Sequence, residues 1–317
     1  MRTLVTGGAG FIGSNLVDRL LKEGYEVGVV DNLVTGRLSN LVSAQQSPQF
    51  SFVEGDITEA ATADHIADFR ADVIFHLAAQ ADVRVSVANP VFDANVNIIG
   101  TLRVLDGAVR GGTKKFVAAA SGGTLYGEVS AEQLPIPETA PWRPLSPYGI
   151  SKKVMVDYMR SSQAMTGLET TALALGNVFG PRQDPHGEAG VIAIFFQHYE
   201  AGTTPTVFGS GDQTRDFVYV EDVVSAFLAA SRRAGTGDLF NIGTGIETSV
   251  NQLLNSMNDI TVTTVAPVRA PARPGELDRS VLDIQRAREY LNWTPMFDVQ
   301  SGLEETWKWF QETKAEK

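Results

Sequence analysis

The chain contains no cysteine. Disulfide scaffolds, thiolate zinc sites, iron–sulfur clusters and thiol nucleophiles are therefore excluded. Histidine is scarce: His65, His76, His186 and His198 are the only four, and no two have the HExxH spacing of a zinc helix. No metal is expected. No apolar run approaches the ~20 residues that span a bilayer, and the opening MRTLVTGGAG breaks into glycines too early for a signal peptide. A long basic run is missing as well. The 26 Lys+Arg against 37 Asp+Glu leave a formal charge of −11, a poor match to a nucleic-acid backbone. These absences predict a cytoplasmic protein that binds neither membrane nor nucleic acid.

What is present is ordinary globular material. The 317 residues are 43% hydrophobic, enough for one large domain or two ordinary ones. In the first half, short β-branched runs at 2–6, 26–30, 50–53, 73–77, 115–120 and 169–175 alternate with helical patterns at 11–23, 91–110 and 148–166. Continuously apolar strands separated by helices predict an α/β fold, a doubly wound parallel sheet of the Rossmann type. The pattern breaks after about residue 176. A turn-rich loop at 180–190 leads to a helix at 191–199, short strands at 206–209 and 216–218, a helix at 222–231 and a strand at 239–242. Further helices are expected from 251–257 and at 301–311, with an extended connection marked by Pro267, Pro271 and Pro274 between them. The expected division is a nucleotide-binding domain over 1–176, with 210–243 returning to it. A smaller C-terminal substrate-binding domain takes 177–209 and 244–317.

The run Thr6-Gly7-Gly8-Ala9-Gly10-Phe11-Ile12-Gly13 follows the first strand and opens the first helix. Glycines there let the backbone turn sharply and approach a pyrophosphate, whose charge meets the N–H groups of the helix start. Asp31 closes the second strand, where a carboxylate accepts hydrogen bonds from a ribose diol and repels a 2′-phosphate, favouring NAD over NADP. Arg37 lies close enough in sequence to blur that preference. Gly55-Asp56-Ile57 ends the third strand; Asp56 suits either an adenine amino group or a helix N-cap. Leu77-Ala78-Ala79-Gln80 ends the fourth, with small residues that admit a cofactor near the backbone. His76, just before it, reads as a satisfied core histidine.

Tyr148 and Lys152 share one face at the start of a helix, in Ser146-Pro147-Tyr148-Gly149-Ile150-Ser151-Lys152. A free phenol titrates near ~10 and is a poor base at neutral pH. A neighbouring ammonium favours the phenolate and makes it a usable one.

These segments, with DNLVTG, SGGTLYG, NVFGPRQDPHGEAG, TRDFVYVEDV, NIGTG and ARPGE, resemble the extended short-chain dehydrogenases/reductases. Within that family the likeness is to nucleotide-sugar enzymes of the UDP-glucose 4-epimerase type, and it covers nearly the whole chain. The resemblance implies NAD as cofactor and a UDP-sugar as substrate. Tyr148 would take the proton from the sugar 4-hydroxyl, Lys152 would tune it and bind the nicotinamide ribose, and Asn32, Gly36 and Asn97 would join the cofactor residues. Where the family carries Ser or Thr, four residues before the tyrosine of its YG dipeptide, this chain has Gly122. Ser121 and Thr124 are the available hydroxyls, and Ser121, closer to the strand end, is the favoured one. Sugar 4,6-dehydratases place Asp-Glu where Gly123 and Thr124 stand, which argues against dehydration. The keto-sugar epimerase–reductases use a Cys/His pair and are excluded.

For the substrate, the resemblance implies Arg215 and Arg273 on the diphosphate, Asn177 on the β-phosphate or sugar, and Glu276 on the uridine ribose. Ser280 matches the position that limits room for a 2-acetamido group, so N-acetylated sugars are expected to be accepted. Arg182 and His186 suit either a carboxylate at C6, which makes a UDP-glucuronate 4-epimerase the rival, or plain solvation. A rival of another class is a non-catalytic NAD-binding sensor or scaffold. Long helices at 91–110 and 148–166 are expected to pair across a two-fold axis in a homodimer.

Overall fold

A computed structural model of the chain describes residues 1–186, 190–233, 235, 237–263, 265–272 and 277–315. In chain order the described strands are β1 (Arg2–Thr6), β2 (Glu26–Asp31), β3 (Phe50–Glu54), β4 (Val73–His76), β5 (Lys115–Ser121), β6 (Glu169–Leu175), β7 (Asn177–Phe179), β8 (Thr206–Phe208), β9 (Thr214–Tyr219), β10 (Asp238–Ile242), β11 (Glu247–Ser249) and β12 (Val268–Ala270). Seven of them form one sheet in the order β10-β6-β5-β4-β1-β2-β3, with every pairing parallel. The order reverses between β1 and β4, and the crevice at the carboxyl ends there is where ligands bind in such sheets.

Both faces of the sheet are covered, as its apolar strands require. Leu16, Val17 and Leu20 of the helix Phe11–Lys22 share one core with Val223, Val224 and Phe227 of the helix Val220–Ser231. On the other face Ile66, Val104, Leu105, Met155 and Met159 bring three helices onto Leu4, Ile74 and Phe116. A third core joins Phe195, Phe196, Leu253, Met257 and Phe310. There Phe196 stacks on Trp307 with ring centroids 5.3 Å apart, and β7, β9 and β11 make a three-stranded sheet.

Thr214–Tyr219 pairs within the three-stranded sheet, while β10 joins the large one and the helix Val220–Ser231 packs in its core. One expectation needs correction. The single helix expected at 91–110 is three pieces: Pro90–Ala94, a π-helical segment Asn95–Gly100 and Thr101–Arg110. The wider turn brings Asp93, Asn97 and Thr101 inward to polar partners, and π-segments of this kind cluster at functional sites.

Candidate active site

The glycine run and the end of β4 meet directly. Gly7 has φ +71°, and a β-carbon on it would lie 2.6 Å from the Ala78 amide nitrogen. A β-carbon on Gly13 would lie 2.1 Å from the Gly7 carbonyl oxygen. Only glycine permits this approach, which sets Gly10, Phe11 and Ile12 at a helix start with no side-chain cap and no acid in its first turn. Its amides are suited to a pyrophosphate. Leu77, Ala78 and Ala79 form the facing wall.

Asp31 is 7% exposed. Its carboxylate accepts the Ala9 and Leu33 amides, each at 2.9 Å. Burial raises its pKa and those two bonds oppose the rise. Gly36 packs on it, where a β-carbon would come within 2.6 Å of Oδ1. Arg37 turns outward to Asp184 at 2.5 Å, so its guanidinium is already engaged by a carboxylate. Asp56 does not cap the helix Ala60–Phe69, whose N-cap is Glu59. It accepts the Thr58 amide at 2.8 Å and the Asn32 amide group at 2.9 Å, tying the ends of β2 and β3 together. Ile57 is buried against Gly100.

Across the crevice the helix Pro147–Thr166 begins where its sequence demands. The Ser146 hydroxyl accepts the Gly149 amide at 3.1 Å, and Pro147 occupies the first turn. Tyr148 therefore sits in the first turn, where the helix dipole favours negative charge, and Lys152 lies one turn on. The Lys152 ammonium is 5.8 Å from the Tyr148 ring centroid and donates to the Ala119 carbonyl at 2.9 Å. Burial pushes the Tyr148 phenol up to about 12, a hydrogen bond with the Ser121 side chain pulls it back, and the Asp93 charge adds to the rise. Burial also lowers Lys152 to about 8, against the pull of Asp93. The chain's own groups thus hold the phenol above its ordinary value.

Of the two available hydroxyls, Ser121 is the one that acts on Tyr148, opposing the rise of its pKa. Thr124 Oγ1 is buried with no hydrogen-bond partner among the described residues. Asn177 faces the same pocket: a β-carbon on Gly123 would stand 4.0 Å from Asn177 Oδ1. His76 is 1% exposed and lies between Thr6 Oγ1 at 2.7 Å and Thr101 Oγ1 at 3.0 Å. Burial and the Lys152 charge lower its pKa to about 3, so it is a neutral core histidine. Asn97 is turned to the protein: its side chain accepts the Gln80 amide and donates to the Gln80 carbonyl, both at 2.9 Å. It holds the cofactor-side wall in place.

Arg215 and Ser280 are brought together by a residue the sequence reading passed over. Asp216, 2% exposed, accepts the Thr244 amide and hydroxyl at 2.7 Å each, the Gly245 amide at 3.1 Å and the Leu282 amide at 3.2 Å. Three segments are pinned there: the TRD turn, the NIGTG turn and the stretch carrying Ser280, itself 5% exposed. The TRDF run that holds Asp216 was visible; its use as an acceptor for distant amides was not. Arg273 and Glu276 lie outside the described residues. Arg182 pairs with Asp18 of the first helix at 2.5 Å while its Nη1 is buried with no hydrogen-bond partner among the described residues, and His186 lies 3.3 Å from Gln197.

The profile of the GDP-mannose 4,6-dehydratase family matches residues 4–306. The UDP-glucose 4-epimerase of Mycolicibacterium smegmatis is 46% identical over 98% of this chain and 99% of its own. A UDP-glucose 4-epimerase from Thermotoga maritima, solved with UDP-glucose, is 43% identical with a TM-score of 0.94, covering 99% of this chain and 100% of that one. The Thermus thermophilus UDP-glucose 4-epimerase in complex with NAD is 39% identical with a TM-score of 0.90, covering 98% and 99%. The crevice, the Tyr148–Lys152 pair and these likenesses agree: the chain belongs to the GDP-mannose 4,6-dehydratase family of NAD-dependent nucleotide-sugar enzymes, on the side of its UDP-glucose 4-epimerases.

Proposed function

We propose that the protein is an NAD-dependent 4-epimerase of UDP-hexoses, interconverting UDP-glucose and UDP-galactose. The observation that carries this is the grouping of Ser121, Tyr148 and Lys152 at the carboxyl end of β5, across the crevice from the glycine run. The Gly7–Gly13 run, Asp31 and the Leu77–Gln80 wall would hold NAD, which would supply a reversible acceptor for the hydride from the sugar C4. Tyr148 takes the 4-hydroxyl proton and returns it to the 4-keto sugar after the sugar has turned over. Ser121 holds the phenolic oxygen and the sugar hydroxyl in line, and Lys152 stabilises the phenolate. Arg215 meets the diphosphate, supplying local positive charge on an acidic protein. Arg273 and Glu276 are assigned the diphosphate and the uridine ribose by sequence alone.

Dehydration lacks an acid at Gly123 and Thr124. The engagement of Arg182 by Asp18 weighs against the UDP-glucuronate reading. A small, buried Ser280 supports turnover of the N-acetylated sugars too. Exposed Val91, Phe92, Ile99, Ile150 and Tyr158 on the paired helices support a homodimer through them; among the described residues no helix is long and apolar enough to cross a membrane, and the proposed setting is the cytoplasm. Chromatography of products from UDP-galactose, UDP-N-acetylgalactosamine and UDP-glucuronate, with no added NAD, tests the reading. Conversion of UDP-galactose supports it. Turnover confined to the acid sugar, or none at all in protein shown to retain NAD, overturns it.

A further inference from the structure

Asp93 is 0% exposed, and a carboxylate so placed needs compensation. Its hydrogen bonds come from neutral donors. Oδ1 accepts the Gln80 side-chain amide at 3.0 Å and the Asn97 amide group at 2.9 Å. Oδ2 accepts the Ser151 hydroxyl at 2.5 Å. Gln80 ends the cofactor-side wall, and Ser151 immediately precedes Lys152 on the catalytic helix. One carboxylate therefore clamps the two walls of the crevice to each other, just where the π-helical segment begins.

The same carboxylate is the negative charge felt by both catalytic groups. It raises the pKa of Lys152 and that of Tyr148. Among the described residues His76 on β4 is held neutral by burial, and Asp82, whose amide is bonded to Gln80 Oε1 at 2.6 Å, pairs with Arg84 at 3.6 Å. We propose that Asp93 is a positioning residue of the active site: its bonds to Gln80, Asn97 and Ser151 fix the turn that leads into Lys152 and place a buried negative charge beside the Tyr148–Lys152 pair. The clamp and the charge are separable, because Ser151→Ala removes the bond and leaves the carboxylate.

This rests on Tyr148 being the base, so one readout is independent of sugar turnover. Ultraviolet difference titration of the NAD-loaded protein against Tyr148→Phe reports ionisation of that one phenol. Asp93→Asn lowers the midpoint by at least about 0.5 pH unit, since the neighbouring negative charge is gone. The acid limb of kcat for UDP-galactose moves with it, and KM changes less than about twofold, as a group acting on the base predicts. Ser151→Ala lowers kcat severalfold without lowering the midpoint. Asp93→Ser, smaller and equally uncharged, carries the same expectation if the Asn variant does not accumulate folded. A midpoint in the charge-removed variant at or above that of the unaltered protein overturns the proposal. So does a fall in Ser151→Ala as large as in Asp93→Asn. Absence of UDP-galactose turnover in the unaltered protein would instead count against the epimerase reading and leave the titration to decide this one.

Discussion

Leu282 occupies the space that a side chain on Gly122 would need. A β-carbon at 122 would lie 2.6 Å from Leu282 Cδ1 and 3.1 Å from the Leu175 carbonyl oxygen, and Leu282 is 1% exposed. A side chain at 122, which the family pattern has, would therefore require Leu282 to shift. Its backbone amide is held in turn by Asp216.

From that contact, Gly122→Ser alone should destabilise the protein by about 1–3 kcal/mol, the usual cost of overpacking, without raising activity. Gly122→Ser with Leu282→Ala should recover part of the stability and, placed in a Ser121→Ala background, part of the lost kcat. Thermal melts and steady-state kinetics of the four variants check this. Equal stability of the single and unaltered proteins would mean that Leu282 yields freely.

His76 gives a pH prediction with a definite sign. Its pKa is about 3 in the folded chain against 6.5 for the free side chain, so the unfolded state binds the extra proton between those values. Stability contributed by the neutral, doubly bonded ring is full above pH ~6.5 and falls as pH drops towards ~3, by up to about 1.4 kcal/mol per pH unit. Urea unfolding of the unaltered protein and His76→Gln between pH 4 and 7, set as about the accessible window, should show the flatter profile in the variant. Parallel profiles would contradict it.

Asp216 makes a prediction about substrate. Asp216→Asn leaves at least one of its four amide and hydroxyl donors facing an NH2 group, a cost of about 1–3 kcal/mol. The three segments it gathers carry Arg215, Thr244 and Ser280. UDP binding by calorimetry should therefore weaken by tenfold or more on the scale of about 1.4 kcal/mol per decade, while retained NAD stays near its unaltered content. Loss of both ligands together would make Asp216 a general stability residue.

Much of this site is legible in the sequence because its local geometry is dictated locally. Gly7 and Gly13 announce a close backbone approach, and Ser146-Pro147 fixes the start of the helix that carries Tyr148 and Lys152. Residues acting across the fold were hidden. Nothing local tells that Asp93 meets Ser151, although its spacing of four from Asn97 on a helix was a signal that both face inward. Nothing local tells that Arg182 finds Asp18 either, or that Leu282 lies over Gly122. Those contacts depend on how elements pack, and the π-helical segment at 95–100 shows packing and polar satisfaction overriding a pattern that reads as one regular helix.

The central claim is that Tyr148 is the acid–base group of an epimerase that recycles its own NAD. The direct measurement is product formation from UDP-galactose, without added NAD, by the unaltered protein and Tyr148→Phe, with bound NAD quantified in both. The account predicts a loss of about 10²-fold or more in kcat, the range expected for removing a positioned acid–base group, at unchanged NAD content. A variant that keeps more than about a tenth of the unaltered rate, against that same expectation, would contradict it.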